Sequence, residues 1–327
     1  MTHGMVASRA GRGVAGLLIL LALCPLVAFA AGPTSAWRKL TLAHNPSARV
    51  NMVMAYDPVG KNIVMFGGYD GASYLNDTWI FNGADWVQLS PANAPAVRAA
   101  SAMGFDRVSG KMVMFGGFNG TQYLGDTWLW DGAAQTWTEA NPARLPTAVT
   151  LPMMFTDPLN SHAGMVGGFD GNFFHNENWQ WTGTDWMQRY PKTVLWARGA
   201  SVVANDEAHG TVVIFGGLGD ANPNNTWTWD GTNWTEQSPA TQPPLVYYIP
   251  AAYDPDLGEV VMFGGASRTS ATWGWTGSDW GLVPVFTPPL LLNSQGMAYD
   301  SRSKQLIMFG GAVQSYLVND TYKLVTK

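Results

Sequence analysis

The chain has 327 residues, 46% of them hydrophobic and only 13% charged, with a formal net charge of −5. Sparse, mostly acidic charge and the absence of any Lys/Arg run exclude nucleic acid as a partner, because phosphate binding needs clustered cations. The single cysteine, Cys24, lies in an N-terminal apolar run, so no disulfide staples the fold and its core must hold it alone.

Arg9 and Arg12 precede the run "VAGLLILLALCPLVAF", which ends in Ala28-Phe29-Ala30. A basic start, an apolar middle and an A-x-A site predict a signal peptide over residues 1–30 and a secreted or periplasmic protein. A retained membrane anchor is the alternative; Pro25 and the small residues after it favour cleavage. Leu23 before Cys24 argues against lipidation. Loss of Arg9 and Arg12 takes the net charge from −5 to −7. Residues 31–327 then form one domain, and no apolar stretch of transmembrane length follows Ala31.

The next segment, "SAWRKLTL" around Trp37, stands alone. Six copies of one unit follow it. Paired glycines end apolar runs at Gly67-Gly68, Gly116-Gly117, Gly167-Gly168, Gly216-Gly217, Gly264-Gly265 and Gly310-Gly311, at intervals of 49, 51, 49, 48 and 46 residues. Ten residues before each first glycine stands an aspartate: Asp57, Asp106, Asp157, Asp206, Asp254 and Asp300. Downstream come Trp79, Trp128, Trp179, Trp227, Trp273 and Tyr322, then a second series, Trp86, Trp137, Trp186, Trp234 and Trp280. The sixth copy lacks that second tryptophan because the sequence ends at Lys327.

Each copy reads as four short strands separated by turn residues; in the second these are "SAMGFD", "KMVMFGG", "DTWLWD" and "TWTEA". The paired glycines, spaced aromatics and "NDTW" phrase resemble the kelch β-propeller family, whose repeat is about 50 residues long. The resemblance spans the chain after the signal region and implies an all-β, six-bladed propeller. The strand bearing Trp37 would complete the last blade and remove the open sheet edges. The glycine pairs allow close approach of sheets, the tryptophans fill space between blades, and the aspartates cap turns such as "DPVG". The repeated phrase is structural.

Alternating strand direction puts the a–b and c–d turns at one end of the ring and the b–c and d–a connections at the other. The second pair is long and variable, so that end is the candidate ligand face. Eighteen residues before the first glycines stand Arg49, Arg98, Val149, Arg198, Val246 and Leu292. Three guanidiniums at that register are expected either to ring the central opening and contact an anionic ligand or to brace the loops. Tyr69, Phe118, Phe173, Trp196, Tyr247 and Tyr248 crowd the same face and suit a sugar or peptide. Tyr74, Tyr123, Phe174 and Tyr316 recur in register and are expected to pack each loop on its blade. His175 and Glu177 form an acid–base pair only if they meet; loop drift is the competing reading.

The resemblance also brings enzymes into view. Galactose-oxidase-like propellers need a Cys–Tyr cross-linked copper site, for which no cysteine remains after cleavage. Iron-dependent kelch specifier proteins carry an acid–acid–His cluster that is missing here. His44, His162, His175 and His209 are scattered, and no metal or cofactor is expected. Exported sialic-acid epimerases are similar in plan, and an arginine-lined mouth would suit an acidic sugar. The Asn-x-Thr matches at Asn76, Asn119, Asn224, Asn233 and Asn319 coincide with the repeat phrase or lie beside it. The expectation is a monomeric, non-catalytic module for a protein, carbohydrate or anionic ligand. A sugar-modifying enzyme and a structural cell-envelope component are the alternatives.

Overall fold

A computed structural model describes residues 35–219, 223–264, 270–290 and 292–326. The expected signal peptide, with Cys24, lies outside the described residues, as does Gly265. Six four-stranded antiparallel sheets follow one another, each with its strands in the order a-b-c-d. In blade 1 these are Val53–Asp57, Asn62–Tyr69, Tyr74–Phe81 and Trp86–Leu89. Blade 2, at Ala102–Asp106, Lys111–Phe115, Thr127–Asp131 and Thr136–Ala140, matches the strands expected from the sequence to within a residue or two. No helix occurs among the described residues, and none is long and apolar enough to cross a membrane.

Blade 6 takes three strands from the C-terminal end and its fourth, Ala36–Lys39, from the N-terminal end. Trp37 pairs with Leu324, and Lys39 with Tyr322. The Lys39 ammonium lies 2.7 Å from Asp320 and fastens the same seam.

One hydrogen bond recurs around the whole ring. The fourth-strand tryptophans Trp37, Trp86, Trp137, Trp186, Trp234 and Trp280 are all at most 2% exposed. Each indole donates to the third strand of the preceding blade. Trp86 reaches Thr321 at 2.9 Å, Trp137 reaches Thr78 at 3.0 Å and Trp186 reaches Thr127 at 2.8 Å. Trp280 reaches Thr226 at 2.9 Å and Trp37 reaches Thr272 at 3.0 Å. In blade 3 the threonine is replaced by Asn178, whose carbonyl accepts from Trp234 at 2.7 Å. The ring supplies apolar burial worth roughly 4–5 kcal/mol per indole before its entropy cost. The paired N–H avoids the penalty of a buried, unsatisfied donor.

The six capping aspartates are buried, and two of them work twice. Asp57 accepts the Val59 amide at 2.9 Å and the Trp130 indole of the next blade at 3.2 Å. Asp157 does the same with Leu159 and Trp229. The glycine pairs sit where blades touch. Gly67 and Gly68 have φ of 64° and 106°, and a Cβ on Gly67 would lie 2.5 Å from the Arg98 carbonyl oxygen. That leaves room for the Gly68 amide to donate to the same oxygen at 2.8 Å.

Candidate functional site

At the end where the d–a connections enter the innermost strands, one residue per blade is left-handed: Asn51, Ala100, Leu151, Ala200, Tyr248 and Ser294, with φ between 54° and 60°. Such a φ costs an L-residue about 1–2 kcal/mol. It is repaid by a closed circuit of backbone hydrogen bonds. Asn51 N–H donates to Ser294, Ala100 to Asn51, Leu151 to Ala100, Ala200 to Leu151, Tyr248 to Ala200 and Ser294 to Tyr248, at 2.7–3.2 Å. These six residues form the mouth of the central channel. A shallow cavity of about 140 Å³ lies within it, floored by Met52, Ser101, Pro152, Ser201, Ile249 and Gln295.

The arginines are not at this mouth, a correction to the expected cationic ring. Arg49, Arg98 and Arg198 are at most 1% exposed, and none of them lines the mouth or the channel. Each side chain turns into its blade wall. Arg49 grips Asp77 with two bonds of 2.6 and 2.8 Å and donates to the Gly67 carbonyl and to both oxygens of Ser47. Arg98 grips Asp126 at 2.8 and 2.7 Å and donates to Gly116 and Ala96. Burial pushes the Asp126 carboxyl up, but the Arg98 hydrogen bond and charge, with the Trp128 indole, outweigh it and hold the group below the ordinary carboxylate value. In blade 4 the aspartate is replaced by Asn225, which accepts from Arg198 at 2.9 Å and passes its own N–H to Glu236 at 2.8 Å. Burial lowers the Arg198 guanidinium to about 10, with Glu236 opposing. An Asp or Asn 27 or 28 residues downstream of each arginine was the sequence signal for bracing: Asp77 and Asp126 follow Arg49 and Arg98 by 28 residues, and Asn225 follows Arg198 by 27.

Aromatic side chains do meet on this face. Tyr69, Tyr74, Phe118, Tyr123, Phe169 and Phe174 form an unbroken arc over blades 1–3, with successive ring centroids 4.8–6.1 Å apart. Between the arc and the mouth lies a groove of about 240 Å³, lined by Asn51, Tyr69, Tyr74, Phe118, Tyr123 and Tyr248 among others. The register mate of Tyr69 and Phe118 is Phe169, the residue after the glycine pair. Phe173 is 69% exposed at the loop tip. Tyr74, Tyr123 and Phe174 pack on the loops, as expected of recurring positions, and Tyr74 and Tyr123 also build the groove wall.

Tyr248 joins mouth and groove, and Tyr247 stacks edge-on against it at 5.7 Å. Burial, then the neighbouring Tyr247, raises the Tyr248 phenol. Trp196, 44% exposed, packs on Trp227 at 6.4 Å and takes no part in the groove lining. His175 does not pair with Glu177. Its Nε2 lies 3.0 Å from Asp170, while Glu177 accepts the Trp179 indole at 3.0 Å. The Phe173 and Asn172 amides, followed by His175, pull the Asp170 carboxyl down to about 2. This arrangement ties the blade 3 loop, with Asp170 rather than Glu177 as the partner of His175. Groove and mouth together present phenols, amides, hydroxyls and apolar surface; no carboxylate, imidazole or cation is among their described lining residues.

Six blades, the glycine-pair repeat and a rim of variable loops define a kelch-type β-propeller. The family model for the KLHDC2/KLHL20/DRC7 Kelch-repeats domain matches residues 26–182, which span the closing strand, blades 1 and 2 and most of blade 3. That match covers just under half of the chain, and the described residues fold as a six-bladed β-propeller. Among solved structures the chain is similar to one titled "Structure of YjhT", with a TM-score of 0.66 and 14% identity over 88% of this chain and 99% of that one. At that identity the likeness speaks for the fold alone. A search of curated proteins gives no match.

Proposed function

We propose that this propeller is an exported, non-catalytic interaction module that docks a loop of a partner protein on the face made by its b–c and d–a connections. The observation that carries the reading is the groove between the aromatic arc and the mouth. It is a preformed concavity of about 240 Å³ with apolar and polar walls in nearly equal share, the size of one large side chain. Phenol hydroxyls edge it, which suits an apolar group with polar surroundings. Kelch propellers are in general protein-interaction modules, and the groove lining holds neither carboxylate nor imidazole among its described residues. With the guanidiniums buried, an anionic sugar loses the contacts that made it attractive, and the sugar-modifying alternative loses its main support.

The test is site-directed photo-crosslinking in the producing cell. A photoreactive phenylalanine analogue at Phe173 or Tyr123 is expected to give a discrete protein adduct. The same analogue at Val108, exposed on the opposite end, is expected to give none. Adducts from Val108 alone, or a glycan-array signal abolished by Tyr74→Ala and Tyr123→Ala, would replace the reading.

A further inference from the structure

Below the mouth the central channel opens to about 750 Å³, within the range of small-molecule sites. Met52, Ser101, Pro152, Ser201, Ile249 and Gln295 line both the channel and the mouth cavity, and so stand between the two. The channel's far end lies among the a–b turns, away from the docking rim. There the residues after the capping aspartates are Pro58, Arg107, Pro158, Glu207, Pro255 and Ser301. Two of the six are charged, with opposite signs. Arg107 and Glu207 are also the only ionised side chains among the channel's described lining residues.

Arg107 stands in the a–b turn of blade 2 and Glu207 in that of blade 4. The guanidinium reaches past blade 3 to the carboxylate at 2.6 Å. Their backbones are held firmly. The Arg107 amide donates to the Ser161 carbonyl of blade 3 at 2.9 Å. The Thr156 hydroxyl donates to the Phe105 carbonyl at 2.7 Å, beside Arg107. Thr156 also donates its amide to the Asn205 side chain at 3.0 Å and accepts from it at 2.6 Å, beside Glu207. The side-chain tips are free by comparison. Their mutual bond is the one side-chain hydrogen bond that either group makes among the described residues, and both side chains are half exposed. The pair also borders a separate niche of about 80 Å³, so its two ends can part into open space. An exposed pair of this kind is held only weakly.

We propose that this end of the channel binds a zwitterionic small molecule, an α-amino acid with an apolar side chain, whose carboxylate takes Arg107 and whose ammonium takes Glu207. A lone cation would select an anion. One cation and one anion within mutual reach select a ligand that carries both charges and no net charge. The guanidinium fork matches a carboxylate with two parallel N–H bonds, and Glu207 keeps a second oxygen that accepts from no described protein donor. The ligand's side chain then enters the channel, where Val53, Ala55, Ala102, Val203 and Ala252 offer apolar surface. The channel is roomy enough to keep water beside it. The inference is independent of what docks on the rim.

The test is titration of the purified protein, carrying isotope-labelled alanine methyl groups, with L-phenylalanine, followed by NMR. One saturable equivalent is expected to move the methyl signals of Ala55, Ala102 and Ala252 and to leave that of Ala72, on the docking rim, in place. 3-Phenylpropanoate lacks the ammonium and phenylalanine methyl ester lacks the carboxylate; each is expected to bind about tenfold more weakly. The Arg107→Gln and Glu207→Gln variants should lose a similar factor toward L-phenylalanine and, being changed at half-exposed turns, should keep their fold. No saturable shift, equal binding of either analogue, shifts at Ala72 alone, or full affinity in either variant would overturn the proposal and leave the ion pair as a strap between blades. Should a variant fail to fold, the two analogues decide.

Discussion

Replacing Arg98 by Met keeps the length and apolar stem of the side chain and deletes a guanidinium that makes four hydrogen bonds, two of them to Asp126. Breaking a fully buried ion pair costs about 3–5 kcal/mol. Asp126 is 27% exposed on its side chain and can partly rehydrate, so the expected loss is smaller, about 2–3 kcal/mol. The pH dependence gives a sharper check. The folded Asp126 carboxyl titrates below its unfolded value of 3.8, so the pair's contribution is fully present above about pH 4 and fades as pH falls through the lower, folded value. The gap in unfolding free energy between parent and Arg98→Met, from urea titrations at pH 7, 4 and 3, should narrow toward acid. A ligand-contacting arginine would behave differently, lowering affinity while leaving the urea midpoint alone. An unchanged midpoint at pH 7 would refute the bracing role.

Thr78→Val removes the acceptor for Trp137 and leaves a buried indole N–H unpaired, an expected cost of about 1–3 kcal/mol by chemical denaturation; adding Trp137→Phe should recover part of it. Ala100→Gly relieves a left-handed residue in the mouth circuit and should raise stability by about 0.5–1 kcal/mol, whereas Ala100→Val should lower the melting temperature. Burial raises the Asp254 carboxyl, against the Asp256 and Leu257 amides that lower it. A raised acid gives stability that declines as pH climbs from the unfolded value through the folded one. Asp254→Asn keeps the amide contacts, so it should flatten that slope and be at least as stable as the parent at pH 7 in thermal melts.

The blade plan was legible because each repeated residue has a local duty. A glycine pair permits a backbone approach, an aspartate caps a turn, and a tryptophan fills an inter-blade gap. Even the closing strand could be read, since Trp37 supplied the tryptophan missing from the last copy. The direction of Arg49 and Arg98 was not legible from their own register. It depends on Asp77 and Asp126, two strands away in sequence but adjacent in space. The His175–Glu177 pairing failed for a related reason: the turn at Asp170–Phe173 brings His175 back onto Asp170. The mouth circuit left almost no trace, because Asn51, Ala100, Leu151, Ala200, Tyr248 and Ser294 share a backbone conformation and no side-chain chemistry. The aromatic arc was half visible: Tyr69 and Phe118 stand out after their glycine pairs, whereas Phe169 shows its part only through its contacts with Tyr123 and Phe174.

The circuit of amides through Asn51 and Ser294 has a bearing on biosynthesis. Its closing link joins positions 243 residues apart, and the neighbouring clasp of Ala36 onto Val325 spans nearly the whole polypeptide. Contacts so distant along the chain form late. During translation, the mouth circuit therefore cannot close until the last blade has left the ribosome. A nascent or truncated chain carries an unpaired sheet edge at each end and is a natural client for chaperones and proteases.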